Sequence, residues 1–429
     1  MAMGIKVGII GAGFVGLSAA LCLAERGDKV VVFEKESSPG GLAGGFKRKN
    51  WKWTLEQHYH HWFTNDTHVI NLAKKLKHRV ITKRPKTSTF FDCVIYQTDS
   101  PMSLLRFSPI PFLDRIRTGV GIALLRFNPF WKPFEKISAS GFIKKVMGTS
   151  SWKVLWEPLF KGKFGEYSDL ICASWFWSRI SKRTSSLVYP TGGFLNFAQK
   201  IESKLRILNA KFHYNTVVES LRNIKGRILV VTGVGKRYYF DKVICTLPTT
   251  VFIKMTHGIP ESYKNSYSGL PGLGAINLIL SLKQKFFEDN TYWLNINDRS
   301  YPFLALVEHT NYMDNKFYNG EHLLYIGNYL SHDHDYFSKN KEELLKIFIP
   351  YLKKINPEFK RSMINDYWLF KTAFAQPVVA TNYSEKIPPI KTPINGVFLA
   401  NIQQVYPHDR GTNYAVELGE KVADLVKNL

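Results

Sequence analysis

Lys6-Val-Gly-Ile-Ile-Gly-Ala-Gly-Phe-Val-Gly16 runs from a short apolar strand into a glycine-rich turn, and the residues after it decide the fold. Leu17 to Arg26 reads as an apolar helix closed by Gly27, and Val30 to Phe33 as a second buried strand ending at Glu34. Strand, G-x-G-x-x-G, helix, strand and acid, in that order, make a dinucleotide-binding unit. Gly11 permits the tight turn, Gly13 lets backbone N–H groups approach a pyrophosphate, and Gly16 lets helix and strand pack closely. The helix N-terminus adds partial positive charge where the phosphates sit. Glu34 is placed to accept hydrogen bonds from a ribose, and an acid there disfavours a 2′-phosphate.

Five residues after Glu34 stands a second glycine-rich stretch, Gly40-Gly41-Leu42-Ala43-Gly44-Gly45. A second such turn beside the first lets the chain pass a long cofactor without side-chain clash. This E-x5-G-G pattern resembles the second fingerprint of FAD-binding proteins of the amine oxidase and protoporphyrinogen oxidase superfamily. Further stretches resemble a bacterial and archaeal subgroup of protoporphyrinogen oxidase-like flavoproteins. They are Trp156–Gly165, Ala173–Ile180, Tyr189–Phe194, Tyr292–Asp298, Val307–Asn311 and Leu399–Arg410, so the resemblance spans nearly the whole chain.

The resemblance implies an α/β fold, a Rossmann-type FAD-binding domain with an inserted α+β substrate domain, and FAD as cofactor. The FAD-binding domain is expected to be discontinuous, from 1–65, 189–260 and 375–429. Segments 66–188 and 261–374 would then form the substrate domain with a helical lobe. Gly11, Gly13, Gly16, Glu34, Gly40, Gly41 and Leu42 would line the dinucleotide, Leu42 standing where many members carry arginine. Val218 would lie beside the adenine and the Cys245–Pro248 turn near the flavin. Asn401 takes the place of an acid that binds the ribityl chain. Thr412 and Asn413, opening the last helix, would point at the flavin N1–C2=O edge, where a helix dipole favours hydride acceptance at N5.

The middle of the chain reads as strands: 211–218, a hairpin of 227–232 with 236–240 around Gly233-Val-Gly235, and 241–246 stopped by Pro248. The chain has 429 residues, enough for two or three domains, and 45% hydrophobic residues with 21% charged ones exclude disorder and coiled coil. Its 58 Lys and Arg against 34 Asp and Glu give a net charge of +24. The excess is 13 over residues 1–150, 10 over 151–250 and only 1 over 251–429. A cationic half of this kind suits an anionic or lipophilic small-molecule substrate or a membrane surface. Nucleic acid is the weaker expectation, because no recognition motif accompanies the charge.

Segment 104–134 mixes five basic residues and one acid with Phe, Leu, Ile and Trp. It reads either as a peripheral membrane contact or as a helical lobe with a solvated basic side, the latter being favoured. Cys22, Cys93, Cys172 and Cys245 stand far apart without a C-x-x-C pair, which reads as reduced thiols in a cytoplasmic protein. The first motif begins by residue 6, so no signal peptide is expected, and no apolar run is long enough to span a bilayer.

His60 and His61, in Glu56-Gln-His-Tyr-His-His-Trp-Phe, follow the second glycine loop and are candidates to orient substrate or exchange protons. Glu308 and His309 form a second candidate pair, the alternative being an exposed turn before Asn311. Neither these histidines nor His332 and His334 have ligand spacing, so no metal is expected. His60-His-Trp-Phe-Thr-Asn65 also resembles the histidine segment of UDP-galactopyranose mutases. Three functions are therefore open. The first is an FAD-dependent oxidoreductase taking a hydride from an amine or in a C–C desaturation. The second is a mutase-like enzyme using reduced FAD without net redox. The third is a basic membrane- or nucleic-acid-binding protein with structural FAD.

Overall fold

The computed structural model describes residues 4–427. Five parallel strands form the first sheet, in the order Lys211–His213, Lys29–Phe33, Lys6–Ile10, Lys242–Cys245, Val397–Leu399. The inner strands are apolar along their length because helices and strands cover both faces, and Val7, Ile9, Val32 and Ile244 are fully buried. The first helix, Phe14–Glu25, starts three residues earlier than its apolar pattern indicated, directly from the glycine turn. It packs along the last helix, Thr412–Lys427. Gly419 makes that approach: a Cβ there would stand 2.5 Å from Val15 O and 2.7 Å from Ser18 Cβ. The last helix thereby closes onto the start of the first.

Residues 211–218 do not form one strand. Lys211–His213 joins the parallel sheet beside Lys29–Phe33, whereas Val218–Ile224 pairs with Arg227–Thr232 in a separate three-stranded antiparallel sheet. The break falls at Asn215, whose φ is 50°, and Thr216 N–H donates to Glu34 O at 2.8 Å across it. Asparagine tolerates the left-handed region that a β-branched residue resists, so the chain turns there without strain of the usual size.

A seven-stranded sheet carries the rest, in the order Ile364–Pro377, Gly272–Leu282, His322–Leu330, Ala305–Glu308, Thr291–Ile296, Lys86–Phe91, Val94–Gln97. All its pairs are antiparallel except that of Thr291–Ile296 with Lys86–Phe91. Leu278, Leu280, Leu306 and Leu324 pack from it onto helix Lys341–Ile355. In the chain between strand Val94–Gln97 and strand Leu187–Pro190 lies a lobe of short helices, the longest Phe112–Phe127. The four cysteines are unpaired. Among the described residues no helix is long and apolar enough to cross a membrane.

Candidate functional site

The two glycine loops are one structure. Gly11 has φ 103°, and a Cβ there would meet Thr246 Oγ1 at 2.3 Å. Gly40 N–H donates to Ala12 O at 2.9 Å, which pins the second loop on the first. A Cβ at Gly41 would come within 3.0 Å of Gly13 Cα, and one at Gly16 within 2.0 Å of Gly11 O. Gly13 differs: its φ is −71°, and a Cβ there meets only Gly41 Cα, at 3.8 Å. The fold itself therefore does not demand glycine at this position. Leu42 is half-buried on the short turn Gly41–Ala43.

Glu34 is buried at the tip of its strand, accepting from Ala12 N–H at 2.7 Å and from Glu36 N–H at 3.0 Å. Its carboxylate is held at the edge of the first loop, where an adenosine ribose is recognised in this fold. Val218 is buried at the start of the separate sheet. Thr412, opening the last helix, is buried with its Oγ1 unpartnered. An orphaned hydroxyl at a helix N-terminus is a site that wants a ligand acceptor. These residues fit FAD.

Two of the expected contacts are committed elsewhere. Asn413 Oδ1 accepts from Val69 N–H at 3.2 Å and ties the last helix to helix Thr67–Lys75. Asn401 Nδ2 donates to Leu247 O at 2.9 Å and to Thr249 Oγ1 at 3.2 Å, and its Oδ1 accepts from Gln403 N–H at 2.9 Å. The Asn401 amide thus holds the turn after Cys245 in place.

The histidine run lies beside these loops, for Gln57 N–H donates to Gly44 O at 3.0 Å. His60 Nδ1 hydrogen-bonds His58 O at 2.6 Å, and His58 Nδ1 bonds the amide of buried Asn277. Burial pushes His60 down to about 4 and His61 to about 3, helped by neighbouring cations, so both imidazoles are neutral at physiological pH. Glu56, which opens the run, is fully buried. It accepts from Tyr189 Oη at 2.8 Å and from Phe194 N–H at 2.9 Å, a structural anchor that the sequence did not announce.

Glu308 and His309 are not in an exposed turn: both are buried. Glu308 accepts from Phe286 N–H at 2.9 Å, Phe287 N–H at 2.8 Å and Asn311 Nδ2 at 2.9 Å. His309 Nε2 bonds Tyr318 Oη at 2.8 Å. Their polar atoms are spent on holding the sheet and its loops together. Glu308→Gln is expected to keep the rate of flavin reduction while lowering stability by about 1–2 kcal/mol, because the new amide turns a donor toward a backbone N–H. Denaturant midpoints and single-turnover rates on the same preparations check both halves.

A group of charges that the sequence reading did not single out stands next to the histidines. Asp409 Oδ2 is 3.0 Å from Arg179 Nη1 and 3.6 Å from Lys163 Nζ, and its Oδ1 accepts from Trp175 Nε1 at 3.2 Å. Arg410 donates to Gln376 Oε1 at 2.7 Å and to Tyr329 Oη, and its guanidinium lies 4.7 Å from the Tyr329 ring centre. Arg183 lies against Phe63, 5.7 Å from its ring centre, and has no carboxylate partner among the described residues. Burial works to raise Asp409, but Lys163 and Arg179 hold it well below the usual carboxylate range. Arg183, exposed just after helix Ala173–Ser181, keeps its positive charge at neutral pH. Three guanidinium groups thus face one carboxylate. Their fields reach the histidine run, lowering His58 and His60 through Arg410 and His61 through Arg183.

Comparison with known proteins agrees with this geometry. Residues 14–426 match the family described as flavin containing amine oxidoreductase. No curated protein matches the sequence. The fold is similar to that of reduced UDP-galactopyranose mutase, with TM-score 0.80 and 16% identity over 99% of this chain and 96% of that one. It is also similar to a protein from Exiguobacterium sp. 255-15 provisionally named a protoporphyrinogen oxidase, with TM-score 0.78 and 14% identity over 99% of both chains. Putrescine oxidase bound to putrescine gives TM-score 0.75 and 14% identity, again over 99% of both chains. With the family match running from the first helix to the last, the chain belongs to the flavin-containing amine oxidoreductases, and its cofactor is FAD.

Proposed function

We propose that this flavoenzyme removes a hydride from an anionic organic substrate, which Arg179, Arg183 and Arg410 hold beside the His58–His61 run. The observation that carries the reading is the excess of guanidinium groups over carboxylates at that place. Arginine stays charged and offers a planar donor fork to carboxylates and phosphates. An ammonium substrate would approach uncompensated like charge, so the site favours desaturation of an anion over oxidation of an amine. When bound, FAD supplies the hydride acceptor at N5 and passes the electron pair on to a separate acceptor.

The chain's own residues orient and desolvate. Asp409 fixes Arg179 and leaves Arg183 free to meet a ligand oxygen. The neutral imidazoles of His60 and His61 accept or donate single hydrogen bonds without adding charge. The rate of flavin reduction is accordingly expected to be flat with respect to these imidazoles between pH 5 and 8, since they titrate at about 4 and about 3. An inflection near neutrality that disappears in His60→Gln would contradict this and place a protonating imidazole at the reacting atoms.

The binding part is tested with inorganic pyrophosphate as probe, added to flavin-loaded protein. The expected result is a saturable change in the flavin spectrum that weakens about ten- to hundredfold in Arg183→Gln, the scale of one charge-assisted hydrogen bond. A spectrum indifferent to the probe, or equal affinity in the variant, would sink the assignment. The same guanidinium set supports a second reading, a mutase-like reaction on a nucleoside-diphosphate sugar. That reading requires reduced flavin and no oxygen or dye consumption at turnover, and steady consumption rules it out.

A further inference from the structure

The helical lobe exposes apolar surface that the fold does not use. Helix Phe112–Phe127 buries Thr118, Gly121 and Leu125 on its inner side. The inner packing is tight, for a Cβ on Gly121 would stand 2.8 Å from Met147 Cγ. On the outer side Leu113, Ile116, Val120, Leu124 and Phe127 recur at three- and four-residue steps and make one stripe. Leu113 is 73% exposed and Phe127 81%, and Phe130 just beyond the helix is 72% exposed. At 1.5 Å per residue the stripe is about 21 Å long. Singly exposed apolar residues are ordinary, but a contiguous row of them marks a contact surface.

The charges around the stripe say what covers it. From residue 101 to 156 the chain has nine basic residues and only two acids. Asp114 is paired with Arg117, and Glu135 is buried where it accepts from Ser384 N–H at 2.7 Å. Arg115 is spent on the carbonyls of Ile110 and Leu105, at 2.8 Å each. Arg106, Arg117, Arg126, Lys132 and Lys136 remain exposed around the apolar row. A second copy of this chain would bring two such cationic rims together, which disfavours self-association. An anionic bilayer satisfies both features at once: acyl chains take the apolar row, headgroup phosphates take the rim, and long basic side chains span the boundary.

We propose that the outer face of helix Phe112–Phe127, continued by Phe130, lies in the interface of an anionic lipid membrane. The alternative is a lobe with a solvated basic side, and the exposed row of Leu113, Ile116, Val120, Leu124 and Phe127 favours the membrane contact over it. The helix also packs on Ala173–Ser181, which carries Trp175 and Arg179, and Arg126 Nη1 donates to Arg183 O at 2.8 Å. The membrane face and the Arg179 part of the cationic site therefore belong to the same lobe.

The test uses full-length, flavin-loaded protein and vesicles of phosphatidylcholine alone or mixed with phosphatidylglycerol, separated by co-sedimentation. The expected result is binding to the anionic vesicles that falls at least about tenfold between low and high salt. The double variant Phe127→Ser, Phe130→Ser is expected to keep its flavin and lose binding about tenfold or more. Both side chains are exposed, so retained flavin separates loss of docking from loss of fold. Absence of binding to anionic vesicles, equal binding to neutral ones, or full binding by the flavin-loaded variant would each overturn the proposal. So would a concentration-dependent dimer that the same variant dissociates.

Discussion

Gly13→Asp is expected to leave the protein folded and free of flavin. A Cβ at this position meets nothing closer than Gly41 Cα at 3.8 Å, and φ of −71° suits any residue, so the fold tolerates the change. The new carboxylate, however, stands where the backbone N–H groups at the start of helix Phe14–Glu25 face the pyrophosphate. Like charge in a partly desolvated loop costs several kcal/mol, so affinity for FAD should fall by about two orders of magnitude or more. Flavin absorbance of the purified protein reads the loss, and circular dichroism reads the retained fold. Gly16→Val is the steric control: its Cβ would press on Gly11 O at 2.0 Å, so it should lose the fold as well as the flavin. A yellow, fully occupied Gly13→Asp protein would contradict the placement of the phosphates.

Asp409→Asn carries the largest expected stability effect. Asp409 is the one carboxylate that Arg179 and Lys163 share, at 3.0 and 3.6 Å, and the Lys163 side chain is nearly fully buried. Removing it leaves buried cations without a counter-charge, at a cost of about 3 kcal/mol. Urea unfolding of flavin-loaded protein should show the loss, and adding Arg179→Gln should recover part of it. Because folding lowers the Asp409 pKa, its contribution is complete above the unfolded carboxylate value of about 4 and disappears as pH falls through the lower folded value. The difference between wild type and Asp409→Asn should therefore be full at neutral pH and shrink only in acid. An unchanged midpoint at neutral pH would show that the cations are compensated by solvent.

The glycine loops were legible because their requirements are local. Gly16 meets Gly11, Gly40 meets Gly44 and Gly41 meets Gly13, and contacts confined to residues 11–44 leave a fixed spacing in the sequence. Gly419 has the same kind of role but acts across the whole chain, against Val15 and Ser18, and no spacing reveals it. The break in 211–218 was hidden for a related reason: alternation marks both strands, while the change of sheet depends on the hydrogen bond from Thr216 to Glu34.

The cationic cluster was less legible because its charges come from separate segments. Lys163, Arg179 and the Asp409-Arg410 pair each lie inside a stretch that matched known flavoproteins, yet each looks like one polar residue in an aromatic run. Only folding brings them together next to His58 and His61. Glu308 and His309 show the reverse, for a polar pair in an apolar strand is conspicuous in sequence whether it faces a ligand or a backbone. Only part of the net charge of +24 falls on the helical lobe, where it supplies Lys163, Arg179 and Arg183 of the cationic cluster and the basic rim around an apolar face.

The most direct test is anaerobic bleaching of the bound flavin by matched small molecules, carboxylated or phosphorylated compounds against diamines such as putrescine. The site described above predicts that an anionic compound bleaches the flavin, that Arg183→Gln slows it, and that diamines leave it oxidised. Bleaching by a diamine, with anions inert, would contradict it.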